Sequence, residues 1–249
     1  MRQGIFIFIV FLLVACQPAK WRIEQATSTK IALNADVQYL ADTAYINQLQ
    51  PFKKLVDAKM NVVIGRAAET MRGHAPESLL SNFSADAYRA SATAYSKSDV
   101  DIAIVNLGGL RTIIPAGDIQ LRKVFELMPF ENELVILWLK GDKINELCQY
   151  FASMGGEGVS GLRFGIDNNK AVDITINGQP LDTNKLYSIA TNDYLAGGND
   201  KMVALANYEK RVNTGIKVRS MLLDYIKAET AKGNEIRSAL DGRIVVYSK

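Results

Sequence analysis

The segment DIAIVNLGGLR (residues 101–111) joins an apolar run to two adjacent glycines that stand between an asparagine and an arginine. A short apolar run bounded by polar residues and glycine predicts a buried β-strand. Glycine lets the backbone adopt a positive φ or come close to another group. The end of this strand therefore suits either a loop that binds a phosphate and the ring attached to it or an ordinary turn between two elements.

The segments around this strand alternate between extended and helical patterns. NELVILWLKG (132–141) predicts a second buried strand, and DKINELCQYFASM (142–154) predicts a helix with Asp142 at its N-cap. Residues 41–60 have apolar residues at helical spacing, with Pro51 marking a break or a new first turn. Further helices are predicted over residues 76–97, 122–128 and 214–233.

Shorter extended segments complete the pattern. Turn signals at residues 167–169 and at Asn177-Gly178 separate runs of β-forming residues. Strands are predicted over residues 61–67, 161–167, 171–178, 186–193 and 243–249. The sum is one mixed α/β (α+β) domain over residues 36–249, with a central mixed sheet flanked by long helices.

The N-terminal segment has the pattern of a targeting sequence. Residues 1–15 contain one positive charge and an apolar run that is too short to span a bilayer, as expected of a signal peptide. Leu13-Val14-Ala15-Cys16 resembles a bacterial lipobox, which implies cleavage before Cys16 and lipid attachment there; an uncleaved anchor is the alternative. Residues 16–35 then form a lipidated tether, and the protein is expected at the bacterial cell envelope, on the outer membrane or the periplasmic face.

Composition excludes several classes of function. The formal net charge is +3 and no block of basic residues stands out, which argues against a nucleic-acid groove. The chain has one histidine, His74, so neither an HExxH motif nor a Cys/His zinc cluster can be written. With Cys16 lipidated, Cys148 has no disulfide partner, and its apolar setting predicts a buried side chain rather than a nucleophile.

Six segments, in order along the chain, resemble one family: the C-terminal domain of 5'-nucleotidases. Their order and spacing match along nearly the whole mature chain, which is far more specific than any single motif. The segments are PESLLSNFSADA (76–87), NLGGLR (106–111), MPFENEL (128–134), VSGLRF (159–164), TNDYLAGGND (191–200) and DGRIVV (241–246).

The resemblance implies a substrate-binding half without the catalytic half. The family carries a second, N-terminal metallophosphoesterase domain that holds two divalent metal ions and supplies the phosphoryl chemistry. The 249-residue chain leaves no room for that domain and lacks its histidine-rich signatures. We therefore expect no catalytic residue, metal ligand or cofactor in this chain, and a separate metallophosphoesterase chain as its partner.

In the family, two aromatic rings hold the base between them, and here they correspond to Phe130 and Tyr194. Stacking contributes about 1–3 kcal/mol per base and accepts different bases. Core packing is the alternative for each ring, but the flanking proline, glycine and polar residues favour an exposed loop.

The resemblance assigns the remaining contacts to two loops. Arg111 presents a planar cation to the phosphate, Asn106 meets the edge of the base, and Gly108 and Gly109 let the backbone approach the ligand. Asp200 accepts hydrogen bonds from the ribose hydroxyls. A surface salt bridge for the arginine and a turn position for the asparagine are the alternatives.

The sequence departs from the family pattern at three places. The family reads glycine-glycine-aspartate-glycine after the second aromatic residue, and this chain reads Gly-Gly-Asn199-Asp200, so Asn199 is an alternative to Asp200. Before Glu77 the family often has an arginine for the phosphate, and here His74 or Arg72 could serve, or both could be solvated surface. After Ser78 the family usually reads asparagine-leucine-glycine-asparagine, and this chain reads Leu79-Leu-Ser-Asn, so the glycine is missing. Phosphate affinity or the contact with the other domain is therefore expected to be weaker.

Three functional hypotheses follow. The first is a nucleotide-recognition subunit of a split 5'-nucleotidase, active as a hydrolase only with its metallophosphoesterase partner. The second is a surface lipoprotein that binds nucleosides or nucleotides without catalysis. The third is a domain that keeps the fold but has lost the binding pocket.

Overall fold

The computed structural model describes residues 22–30 and 42–247. Residues 22–30 are exposed and have no regular secondary structure. The predicted signal peptide and the predicted lipidation site Cys16 lie outside the described residues. Among the described helices, none has the length and apolar character that crossing a membrane requires.

The described domain contains six α-helices and eleven β-strands, together with two short 3₁₀ turns. The helices are α1 (Thr43–Met60), α2 (Leu79–Ser96), α3 (Leu121–Leu127), α4 (Gly141–Ser153), α5 (Asp193–Ala196) and α6 (Val218–Ala231). The strands are β1 (Val63–Ala67), β2 (Ile102–Val105), β3 (Gly117–Gln120), β4 (Glu133–Lys140), β5 (Gly158–Ser160), β6 (Leu162–Asp167), β7 (Lys170–Ile176), β8 (Gln179–Pro180), β9 (Leu186–Asn192), β10 (Lys210–Lys217) and β11 (Ile244–Val246).

A five-stranded mixed sheet in the order β10-β4-β9-β2-β5 forms the centre of the domain. Strands β2 and β9 run parallel, with Ile102 opposite Ile189, and the other neighbours are antiparallel. Strands β11, β6, β7 and β8 form a second sheet, and β1 pairs with β3. The predicted mixed α/β fold with a central mixed sheet is confirmed.

The central sheet is buried on both faces, because successive side chains of a strand point to opposite sides. Leu134 and Ile136 of β4 pack into the apolar cluster that contains residues of α2, α3 and α6. Val135 and Leu137 pack into the opposite cluster with α4, β6 and β7. Burial of each such side chain contributes about 1.5–3 kcal/mol, so both faces stabilise the strand order.

The predicted helix at residues 76–97 is confirmed as α2, and its start follows from its sequence. The Ser78 side chain accepts from the Ser81 backbone N–H at 3.2 Å, and the Ser81 hydroxyl accepts from the Ser78 N–H at 3.1 Å. This reciprocal capping satisfies backbone donors that no helical carbonyl can reach. The helix therefore begins at Leu79, three residues after Pro76.

The predicted N-cap at Asp142 is wrong. The N-cap of α4 is Lys140, because the chain passes from β4 directly into the helix. The Gly141 N–H donates to the Lys185 carbonyl at 2.9 Å, and a Cβ at Gly141 would lie 2.1 Å from the Asp182 carbonyl oxygen. Tertiary contact with residues 182–185 thus sets the start of this helix. Cys148 of the same helix is buried as predicted, and burial raises the pKa of its thiol.

Two other boundaries differ from the predictions. The helix predicted over residues 214–233 begins at Val218, since residues 214–217 end strand β10 beside β4. Pro51 lies inside α1 rather than at a break. Strands β3, β5, β8 and β10 were not predicted, because each is short or lacks an apolar run of its own.

Arg243 joins the C-terminal segment to α2. Its Nη1 and Nη2 atoms donate to Asp86 Oδ1 and Oδ2 at 2.8 and 2.7 Å, and Nη1 also donates to the Val159 carbonyl at 2.9 Å. Nε donates to Asp241 Oδ1 at 3.0 Å. A bidentate arginine–carboxylate pair fixes orientation as well as position. The arginine side chain is 11% exposed, so the pair is partly shielded from water.

Glu77 closes the same junction from its other side. Its Oε1 accepts from the Asp241 N–H at 2.9 Å, and its Oε2 accepts from the Gly242 N–H at 3.1 Å. Asn82 Nδ2 donates to Glu77 Oε1 at 2.6 Å and to the Ala239 carbonyl at 2.7 Å. Residues of the segments PESLLSNFSADA and DGRIVV therefore join the C-terminal segment to α2 and stabilise the fold.

We predict that Arg243→Met lowers the free energy of unfolding by about 2–4 kcal/mol, because it leaves Asp86 without its bidentate partner. Urea denaturation measures this loss. Arg237→Met is the matched control, since Arg237 is 70% exposed and its ion pair is with Glu235, two positions away in the sequence. An Arg243→Met loss no larger than that of the control would contradict the role given to this pair.

Candidate functional site

A cavity of about 340 Å³ lies where three neighbouring strands of the central sheet have their ends. Because β2 and β9 are parallel, the segments that follow them emerge at the same edge, and antiparallel β4 begins there. The residues around the cavity are therefore far apart in sequence. Its lining consists of Asn106, Gly108, Gly109, Arg111, Phe130, Asn132, Tyr194 and Asp200.

All seven residues predicted to contact the substrate are in this lining. The structure thus brings together segments separated by more than ninety positions in the sequence, such as Asn106 and Asp200. It places them as a group, and their binding role stays a prediction.

The two predicted aromatic residues are exposed. Phe130 is 51% exposed and Tyr194 is 42% exposed, so neither ring is a core residue, which was the alternative for both. The Cζ atom of Arg111 lies 6.0 Å from the centroid of the Phe130 ring. The edge of the cavity therefore carries two rings and a cation, with the cation within reach of one ring.

Hydrogen bonds orient the second ring and the acidic residue. The Tyr194 hydroxyl donates to Asp200 Oδ1 at 2.7 Å, and Asn106 Nδ2 donates to Asp200 Oδ2 at 2.7 Å. The hydrogen bond to Asp200 raises the pKa of the Tyr194 hydroxyl, which therefore stays protonated as a donor. The Asp200 carbonyl accepts from the Tyr150 hydroxyl at 2.9 Å. Asp200 is thus held at both its side chain and its backbone.

Asp200, rather than Asn199, takes the position in the cavity. Asn199 Nδ2 donates to the Tyr194 carbonyl at 2.7 Å and is outside the lining. Asp200 has a φ of 52°, in the left-handed region that aspartate tolerates better than most residues. Of the two candidate residues, Asp200 is therefore the one that this loop brings to the cavity.

The loop after β2 is a 3₁₀ turn at Leu107–Gly109. A Cβ at Gly109 would lie 2.7 Å from Asn106 Oδ1, whereas a Cβ at Gly108 would meet nothing within 4 Å. The glycine at 109 therefore gives the Asn106 side chain its position against Asp200. Arg111 Nη1 donates to the Gly108 carbonyl at 3.1 Å, which directs the guanidinium back over this turn.

Glu157 supports the turn from beneath and was missed by the sequence analysis. Its Oε1 accepts from the Leu107 N–H at 2.5 Å and from the Gly158 N–H at 3.3 Å. Burial, opposed by these two hydrogen bonds and assisted by the nearby Asp200 carboxylate, raises the pKa of Glu157 to about 7. A single acidic residue between glycines gives no sequence signal of such a role.

Among the eight lining residues of the cavity, Asn132 was not predicted. It stands two positions after Phe130, where side chains of an extended segment point to the same side. That spacing in MPFENEL was a usable signal for it.

Arg72 and His74 are not brought into the cavity. Both are exposed, and neither is among the lining residues. His74 Nδ1 lies 3.2 Å from the Ala75 carbonyl oxygen. The alternative of solvated surface describes their placement better than a phosphate-side position.

A second cavity of about 360 Å³ lies beside the Arg243 pair. Asp86 and Asp241 line it, and both carboxylates are engaged by Arg243. Arg89 donates to the Val100 carbonyl at 2.8 Å and to Asn177 at 2.6 Å. The charged groups of this second cavity are thus engaged in contacts that stabilise the fold. The first cavity is therefore the better candidate for a functional site.

Within residues 22–30 and 42–247, no group of three or more histidine, cysteine, aspartate or glutamate side chains is arranged to hold a metal ion.

The profile of the "5'-nucleotidase, C-terminal domain" family matches residues 58–207, a span that includes the whole lining of the first cavity. The chain belongs to this family. The predicted resemblance is thereby confirmed.

Several relatives are similar to this chain over part of their length. Protein UshA of Yersinia enterocolitica is 26% identical over 213 residues, which cover 84% of this chain and 38% of the relative. Protein UshA of Escherichia coli K12 is 27% identical over 73% of this chain and 34% of its own length. The crystal structure of a 5'-nucleotidase precursor from Thermus thermophilus matches with a TM-score of 0.71 at 29% identity, covering 85% of this chain and 44% of that chain. The chain thus spans less than half of each of these proteins.

We predict that Gly109→Ala displaces the Asn106 side chain from Asp200, because the added methyl group would lie only 2.7 Å from Asn106 Oδ1. The side-chain amide resonances of Asn106 in a proton–nitrogen NMR spectrum should shift toward those of an amide without a charged partner. Gly108→Ala is the control, since its methyl group meets open space. Equal shifts in the two variants would show that the tight contact at position 109 does not exist.

Proposed function

We propose that this domain recognises a nucleoside or nucleotide and serves as the substrate-recognition subunit of a split 5'-nucleotidase-type hydrolase. A separate metallophosphoesterase chain supplies two divalent metal ions and the phosphoryl chemistry. The observation that carries the proposal is one cavity that holds Phe130, Tyr194, Arg111, Asn106 and Asp200 together.

The two exposed rings are suited to a flat aromatic base. An aromatic ring left half exposed at a cavity leaves apolar surface in contact with water, and a stacked base would cover it. The hydrogen bond from Tyr194 to Asp200 limits rotation of that ring before the ligand arrives. Such preorganisation lowers the entropy lost on binding.

Arg111 is suited to the phosphate. Its side chain donates to the Gly108 carbonyl, and no carboxylate pairs with it among the described residues. The positive charge is therefore not neutralised, and the guanidinium fork has donors to spare for a planar pair of phosphate oxygens.

Asp200 and Asn106 are suited to the polar edges of a nucleoside. Each Asp200 oxygen accepts one hydrogen bond in the structure, which leaves further lone pairs for ribose hydroxyls. Asn106 Nδ2 has a second hydrogen and its Oδ1 is an acceptor, so its amide offers both a donor and an acceptor to the base edge.

We also propose that lipidated Cys16 anchors the chain at the bacterial cell envelope. Cys16→Ser should release the protein from the membrane fraction and abolish incorporation of radiolabelled palmitate. Labelling that persists in the variant would overturn the anchor without touching the binding proposal.

We predict that Phe130→Ala and Tyr194→Ala each weaken adenosine binding by about 1–3 kcal/mol, which is about five- to 150-fold in Kd. Isothermal titration calorimetry with the purified chain measures this. Tyr95→Ala is the matched control, because Tyr95 is 43% exposed and lies outside the cavity.

Arg111→Gln should weaken binding of AMP and leave adenosine binding nearly unchanged. Failure of the chain to bind any nucleoside or nucleotide would leave a fold that has lost its pocket.

We predict that phosphate is released from AMP only when this chain is mixed with its metallophosphoesterase partner and a divalent metal. The candidate partner is a chain encoded in the neighbouring genes that carries metallophosphoesterase motifs. Enzyme-like hydrolysis by this chain alone would contradict the division of labour. Tight nucleoside binding with no activity in the mixture would instead favour a non-catalytic binding lipoprotein.

A further inference from the structure

Glu157 is the one carboxylate that contacts the backbone of the turn at Leu107–Gly109 within the part of the chain that the structure describes. The residues on either side of Leu107 are lining residues of the cavity. A displacement of Leu107 would therefore move Asn106 and Gly108 together. Glu157 is outside the lining of the cavity, so its carboxyl group acts on the lining residues through the backbone of Leu107.

The position of Glu157 is itself fixed by its neighbours. A Cβ at Gly156 would lie 2.4 Å from the Pro76 carbonyl oxygen, so the chain passes tightly against that segment. Gly158 begins β5, which pairs with β2, and Val105 lies opposite Gly158. The carboxyl group can therefore leave the turn only if its side chain moves into water or if the adjacent strand β5 moves.

The ionisable groups around Glu157 come from several elements. Asp200 contributes a negative charge, and Tyr150 of α4 is influenced electrostatically by both Glu157 and Asp200. The segment around Pro76 contributes His74, which is exposed, and Glu77, which is taken up by the backbone of residues 241–242. Arg111, on the turn itself, is directed to the Gly108 carbonyl.

Burial is the largest influence on this carboxyl group and disfavours its charged form. The pKa of Glu157 rises from its ordinary value of 4.5 to about 7. A carboxyl that leaves the turn for water would regain its ordinary pKa. The arrangement in which the Glu157 carboxyl contacts the turn therefore binds the proton more tightly than an arrangement in which this carboxyl lies in water. The contact with the turn is favoured at low pH and is progressively lost as the pH rises through about 7.

We propose that Glu157 is a positioning residue that holds the Leu107–Gly109 turn in its binding arrangement when its carboxyl group is protonated, and that ionisation of this group weakens nucleoside binding. This inference rests on the proposed function. A protonated carboxyl keeps a carbonyl oxygen that accepts from Leu107 and Gly158. A ligand in the cavity would shield the turn further from water, and this desolvation disfavours the charged form of the Glu157 carboxyl group.

The test is calorimetric titration of the full chain with adenosine, an uncharged nucleoside that brings no phosphate group to titrate. The affinity of the wild-type chain is expected to fall about three- to tenfold between about pH 6 and about pH 8, the range expected for one group with a midpoint near 7. Glu157→Gln keeps an oxygen acceptor and cannot ionise. It is expected to bind at the higher pH as tightly as the wild-type chain does at the lower pH, with no dependence on pH.

His74→Gln is the control for the histidine, and it should retain the pH dependence of the wild-type chain. A flat wild-type profile, or a Glu157→Gln variant that follows the same slope as the wild type, overturns the inference. So does an affinity that rises with pH.

A second measurement separates this inference from the proposed function. In the ligand-free chain, the Leu107 and Gly109 amide resonances are expected to shift with a midpoint near 7, and Glu157→Gln should abolish that shift. Amides that do not respond overturn the positioning role. Amides that do respond in a chain that binds no nucleoside leave the positioning of the turn standing and overturn the proposed function.

Discussion

The parallel pairing of β2 with β9, with β4 on the other side of β9, is the constraint on which the rest of the site depends. Parallel neighbours end at the same edge of a sheet, and an antiparallel third strand begins there. Three chain segments that are distant in sequence therefore converge at this edge of the sheet. Burial of both faces of the sheet sets this strand order, so the core of the domain indirectly fixes the geometry of the cavity.

Within the cavity, polar contacts are already made before a ligand is bound. Asp200 accepts from Tyr194 and Asn106, and Glu157 holds the intervening turn through Leu107. Each contact restricts a group that a ligand would otherwise have to order, which reduces the entropy lost on binding. The same contacts place two carboxyl groups close enough to influence one another, and that proximity links the protonation of Glu157 to the state of the site.

The family motifs divide into two groups that look alike in the sequence. Glu77, Asp86 and Arg243 join the C-terminal segment to α2 and serve the fold. Asn106, Arg111, Phe130 and Tyr194 lie at the cavity. Residue type does not separate the groups, because an arginine forms a bidentate pair equally well with a carboxylate and with a phosphate. The two arginines differ in their surroundings: Arg243 is paired with Asp86, whereas Arg111 lies at the open cavity.

The sequence by itself determined the mixed α/β class, the strands β2 and β4 and the helix α2, because apolar periodicity and capping residues are local signals. Its ordered motifs, through their resemblance to the family, also identified seven of the eight residues that line the cavity. The start of α4, the strand β10, the choice of Asp200 over Asn199 and the position of Glu157 were decided only by the tertiary structure. In each of these cases the deciding contact comes from a segment far away in the sequence: residues 182–185 for α4, β4 for β10, Asn106 for Asp200 and Leu107 for Glu157. No local pattern encodes which distant backbone or side chain will be the partner.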